Sequence, residues 1–210
     1  PMSLAFWRWA IALVILLPLV GPSLWQHRQV LRRAGWRLWL LAALAITAYN
    51  CLLYTAALST AAINLSLVST CLPLATFIGA GLLLGEWLAR RAWVGLLLAL
   101  FGLLWLICQG DWRVLASLSF AEGDLLMVLA TLDWALYSLL LRRWSAYFQL
   151  PPFTLLGALV LLGLLMLAPF YAWEFWLGAR FELSPANLAA IGYTALFASV
   201  AAYQLWNIGL

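Results

Sequence analysis

The stretch Pro152-Phe-Thr-Leu-Leu-Gly-Ala-Leu-Val-Leu-Leu-Gly-Leu-Leu-Met-Leu-Ala-Pro-Phe-Tyr-Ala-Trp173 contains no Asp, Glu, Lys, Arg or His. A membrane-crossing helix needs roughly 20 apolar residues, and this run is long enough. It shows no strand-like alternation. Lipid offers no water to free backbone N–H and C=O groups, so a continuous apolar run crosses as a helix. Outward from residues 152–173, similar runs occur at 4–20, 37–57, 63–84, 91–108, 123–141 and 187–210. The expected fold is an all-α integral membrane protein, a polytopic helical bundle with seven visible spans joined by short loops.

Composition agrees. Of the 210 residues 67% are hydrophobic and 9% charged, and mean hydropathy is +1.03. Soluble chains are about half apolar and about a quarter charged. A soluble single domain, a disordered chain and a nucleic-acid binder are thereby excluded, and membrane lipid is the expected surrounding. Net charge is +4, carried by eleven arginines and no lysine. Cys51, Cys71 and Cys108 lie in or at the end of apolar runs at no metal spacing, so neither a metal site nor a disulfide framework is expected. The single His27 sits in a basic loop. No HExxH, Walker A or GxSxG motif occurs, which argues against an enzyme and against a cofactor.

The arginines set the topology. Arg28, Arg32, Arg33 and Arg37 lie between the first two spans, Arg90 and Arg91 between the third and fourth, and Arg142 and Arg143 between the fifth and sixth. The alternate connections hold only Arg113 and Arg180. The positive-inside rule makes the Arg-rich loops cytoplasmic in a multi-pass inner (plasma) membrane protein, with Pro1 outside. Trp7, Trp9, Trp25, Trp36, Trp87, Trp93, Trp112, Trp144, Trp173 and Trp176 fall at or beyond span ends, as an interfacial belt would.

An internal echo refines this picture. Tyr54-Thr-Ala-Ala-Leu58 closes the second span and Trp206-Asn-Ile-Gly-Leu210 the seventh, 152 residues on. Leu16-Leu-Pro-Leu19 and Leu167-Ala-Pro-Phe170 stand 151 apart by their prolines. Spans one and two then correspond to spans six and seven. Five helices separate each pair, so the halves are inverted, a mark of secondary transporters. The register requires an equivalent of span five before Pro1 and equivalents of spans three and four after Leu210, ten helices in all. The expected division is 1–108, a first repeat lacking its first helix, and 123–210, a second lacking its last two.

Several stretches carry a family likeness: Phe6-Trp-Arg8, then Leu53-Tyr-Thr-Ala-Ala-Leu58 with a short turn to Ala61-Ala-Ile-Asn64, then Pro73. Leu83-Leu-Gly-Glu86 before Arg90-Arg91, Glu122-Gly-Asp124, and Trp134-Ala-x-Tyr137 before Arg142-Arg143 complete the series. In order and spacing the chain resembles the EamA-type branch of the drug/metabolite transporter superfamily. The resemblance implies two inverted five-helix repeats, a central substrate cavity, and export or uptake of small organic metabolites, commonly amino acids. Asp133 departs from the family pattern, in which a small or apolar residue precedes this Trp.

Asp133 falls near the middle of its span, where a carboxylate costs about 2.5–3.5 kcal/mol on insertion scales. Such groups face a bundle interior or a wet cavity, so Asp133 is a candidate cavity residue and proton carrier. Tyr137 shares its face at i+4. Trp134, Tyr49, Tyr54 and Tyr203 are candidates to stack a substrate. Arg8 either snorkels to the interface or attracts substrate carboxylates. Asn50, Asn64, Ser66, Ser69, Thr70, Gln204 and Asn207 either line the pocket or bond helices together. The expected substrate cavity is Asp133, Trp134, Tyr137, Arg8, Asn50, Asn64 and Tyr49. Glu86 and Arg90 read as an i, i+4 pair on a continuing helix, Pro73 as a bend, and Gly81 with Gly85 as a close-packing pair. A small-molecule substrate is the expected partner, with a second copy of the chain as a candidate. A seven-helix receptor and a non-transporting assembly protein are the rival classes.

Overall fold

The computed structural model describes residues 2–87, 89–107, 121–178 and 184–209. Pro1, Cys108, Trp112, Arg113, Arg180 and Leu210 lie outside the described residues. Among those described there are eight helices: α1 (Met2–Gln26), α2 (Arg28–Ala34), α3 (Trp36–Ala56), α4 (Ala62–Leu84), α5 (Arg90–Ile107), α6 (Glu122–Phe148), α7 (Pro152–Trp176) and α8 (Pro185–Gly209). Six of these, all but α2 and α5, are long and apolar enough over the described residues to cross a membrane. Helix α5 occupies the place of the fourth span. The protein is therefore a polytopic helical membrane protein. Its helices form two compact units, residues 1–51 with 141–210, and residues 52–140.

In the first unit α1 buries Ala5, Trp9, Ala12, Leu16 and Val20, a stripe at helical spacing. Trp9 is 0% exposed. The interfacial role expected for it does not hold, because it stands on this inward stripe. Trp25, Trp36, Trp173 and Trp176 are exposed, as the belt requires. Helix α7 is buried continuously from Thr154 to Val160, and it makes its main contact with α1. Two glycines set the approach distances. A Cβ on Gly157 would lie 2.6 Å from Val20 Cγ2, and one on Gly163 would collide with the Ile46 side chain. Polar ties accompany the close packing: Ser23 Oγ meets Thr154 Oγ1 at 2.6 Å, and Thr47 Oγ1 donates to the Gly163 carbonyl at 3.1 Å.

Helices α3 and α8 each change register in mid-span. Residues Ala43–Ala48 and Ala195–Ala201 are π-helical, with Tyr49 N–H bonding Leu44 O and Ala202 N–H bonding Phe197 O, both five residues back. Such bulges are rare and collect at functional sites. The segments begin 152 residues apart, at Ala43 and Ala195, the offset of the echo between Tyr54 and Trp206. The first packs on α7 and the second on α1.

In the second unit α4 is interrupted by a turn at Thr70-Cys71, and Pro73 stands in the first turn of the resumed helix. The bend thus starts upstream of the proline, where Thr70 Oγ1 bonds Leu67 O at 2.6 Å. Helix α4 ends at Leu84. Gly85 is left-handed at φ +72, and Glu86 N–H folds back to Ala80 O at 3.1 Å, which closes the helix on a left-handed glycine stop. Gly85 is therefore a terminator and not half of a packing pair; Gly81 lies under the Trp87 ring. Helix geometry resumes only at Arg90, so Glu86 and Arg90 are not one turn apart on a continuing helix.

Candidate functional site

The polar side chains gather in two clusters, one in each unit. In the first unit the half-buried Arg8 does not snorkel away from the packed helices: its Nη2 donates to Asn50 Oδ1. Its guanidinium also lies 5.1 Å from the Trp9 ring centroid. Asn50, fully buried, donates through Nδ2 to Ile46 O at 2.7 Å. Tyr203 meets Trp9 edge to face at 4.9 Å and donates to Ala45 O at 2.9 Å. Ala45 and Ile46 belong to the π segment of α3, whose altered register presents carbonyls that take side-chain donors from α3 and α8. Tyr49 follows directly, half-buried.

Polar atoms buried without a hydrogen-bond partner in this unit include Trp9 Nε1, Ser199 Oγ and Gln204 Oε1. Buried polar groups are nearly always satisfied. Ser199 lies in the π segment of α8, one turn before Tyr203. A guanidinium beside the ring of Trp9, whose indole N–H is unmet, suits a carboxylate or another small polar solute. The sequence did not single out Ser199. Trp9 could have been found, since it falls at helical spacing with Ala5, Ala12 and Leu16.

In the second unit Trp134 and Tyr137 on α6 are both buried, with ring centroids 5.2 Å apart. Asp133 beside them is half-buried, and its Oδ2 is enclosed without a partner. An orphan carboxylate oxygen inside a membrane helix is costly. Asn64 is not beside this group. It donates to Asp124 Oδ2 at 3.2 Å, and Asp124 also accepts from Thr60 Oγ1 and from Ala121 N–H at 2.8 Å. The adjacent Gly123 allows the contact: a Cβ there would stand 2.5 Å from Ala56 O. Asp124 thus caps α6 from its third residue and staples it to the α3–α4 turn. Ser66 and Ser69 bond carbonyls of their own helix. Among the described residues no three His, Cys, Asp or Glu side chains gather as a metal site.

Long apolar helices that enclose polar atoms without partners belong to a membrane protein with polar sites in its interior. The model of the EamA-like transporter family matches residues 1–108, about half the chain, and the chain belongs to that family. It is 27% identical, over its whole length and 68% of the relative's, to the uncharacterized transporter YyaM of Bacillus subtilis. It is 36% identical to the uncharacterized protein PA1977 of Pseudomonas aeruginosa, across 64% of this chain and 42% of that one. A solved crystal structure shares the fold at TM-score 0.76 and 19% identity, covering all of this chain and 69% of the other.

Proposed function

We propose that the protein is a secondary transporter that moves small organic metabolites, amino acids first, by alternating access between two inverted halves. The observation that carries this reading is the half-buried Arg8, whose guanidinium bonds the buried Asn50 and lies 5.1 Å from the Trp9 ring centroid, in a unit where Trp9 Nε1 and Ser199 Oγ are buried without partners. The matching π segments, 152 residues apart, support the inverted repeat. In this reading Arg8 takes the carboxylate of the solute and Asp133 carries a coupling proton. The Arg-rich loops face the cytoplasm of an inner membrane.

Flux into proteoliposomes tests it. Arg8→Lys keeps the charge but loses the planar fork. Expression and thermal stability should stay close to the parent's, while uptake of amino acids and other carboxylates falls about tenfold, the worth of one charge-assisted bond. Uptake of uncharged solutes should hardly change. An equal fall for every solute would remove Arg8 from recognition, and no flux of any solute by a protein holding both full five-helix repeats would overturn the transport reading.

A further inference from the structure

We infer that a groove at one end of the first unit binds a single anionic phospholipid, its phosphate on Arg32 and part of one acyl chain along α7. The groove holds about 300 Å³ and is walled by Leu24, Leu31, Leu38, Trp39 and Leu161, with Arg32 the one charged lining residue among the described residues. It exists because the chain turns sharply between two spans. Gly35, at φ +51, joins α2 to α3 at a corner that side-chain-bearing residues rarely adopt. Helix α2 follows α1 and precedes α3, both membrane spans, so it lies at the headgroup level.

Charge and shape select the occupant. The neighbouring arginines are engaged with aromatic rings: Arg28 stands 4.4 Å from the Trp25 ring and Arg37 4.6 Å from the Tyr147 ring. Arg33 points its carbonyl to Tyr147 OH at 3.1 Å and does not line the groove. Arg32 is left to face the groove. A polar metabolite would bury its hydrogen-bonding groups against leucine there. A free anion would meet one cation and, among the described lining side chains, only the Trp39 indole N–H as a further donor. A phospholipid meets both demands, with an anion at the interface and a chain on the apolar wall. The inference does not depend on which solute is carried.

The test is thermal unfolding of the whole protein in a neutral detergent, titrated with phosphatidylglycerol, phosphatidylcholine or inorganic phosphate. Phosphatidylglycerol should raise the midpoint saturably, phosphatidylcholine far less, and phosphate not at all. Arg32→Gln, at an exposed position, should leave the lipid-free midpoint in place and weaken phosphatidylglycerol binding about tenfold or more. Leu161→Trp, which fills the groove from a position 39% exposed, should abolish the response, and Arg33→Gln should keep it. Equal shifts with both lipids, a shift with phosphate alone, or equal losses for Arg32→Gln and Arg33→Gln would each overturn the proposal.

Discussion

Helix α6 carries two carboxylates, Asp124 and Asp133, nine residues or about two and a half turns apart. Asp124 is buried and accepts three hydrogen bonds, from Thr60, Asn64 and the Ala121 N–H. Asp133 has an enclosed oxygen that accepts none. A carboxylate with three donors holds its surroundings in place whatever the protein does. One with an unmet oxygen in the same helix is an unbalanced cost, and such costs persist where function needs them. The difference separates a staple from an acid with an unmet oxygen, which the proposed function makes the working group, although both are acids in one apolar span.

The largest effect should follow removal of the staple. Asp124→Ala leaves Thr60 Oγ1, Asn64 Nδ2 and the Ala121 N–H without their acceptor, and also loses the cap on α6. The unfolding midpoint in detergent should fall by several degrees, and folded yield with it. Specific transport by the protein that still folds should be close to the parent's. A midpoint unchanged from the parent would mean that the three bonds are not holding α6 to the turn.

Asp133→Asn should do the reverse. Asn is nearly isosteric and carries no charge to bury, so the midpoint should stay or rise slightly. Flux in proteoliposomes should fall about tenfold and lose its dependence on pH, because no titrating group remains at that position. Asp133→Glu should restore part of that dependence. If Asp133→Asn transports with the parent's pH profile, Asp133 is a buried structural acid, and the contrast with Asp124 is only one of partner number.

The contrast also shows which features were legible in the sequence. The spans were, because 20-residue apolar runs impose a helix whatever packs against it. Helices were found where runs of that kind occur, with ends shifted by up to about seven residues, as at Phe148 against the expected 141. Asp133 stood out because one charge in an apolar run is visible without a partner. The meaning of Asp124 was hidden: Thr60 lies 64 residues away, and no periodicity links them. The π segments were hidden as well. Ala43–Ala48 reads Ala-Leu-Ala-Ile-Thr-Ala, with neither Gly nor Pro to mark an altered register. Trp9 reads as interfacial from the sequence because a tryptophan near a span end fits a belt and a core equally well until its face is known.

Asn64 gives the smallest and most discriminating prediction. From the sequence it belongs to the substrate cavity; in the structure it is the weakest donor of the Asp124 staple, at 3.2 Å. Hydrogen bonds between membrane helices average about 0.6 kcal/mol. Asn64→Ala should therefore cost about that much, a change barely visible in the unfolding midpoint, since Thr60 and the Ala121 N–H still hold Asp124. Its flux and substrate preference should match the parent's. Because Asn64 Oδ1 is itself buried without a partner, a clear change in substrate preference with no change in midpoint would assign that oxygen to the solute. The staple and the binding site would then share a residue, and the division between Asp124 and Asp133 would no longer be one between structure and function.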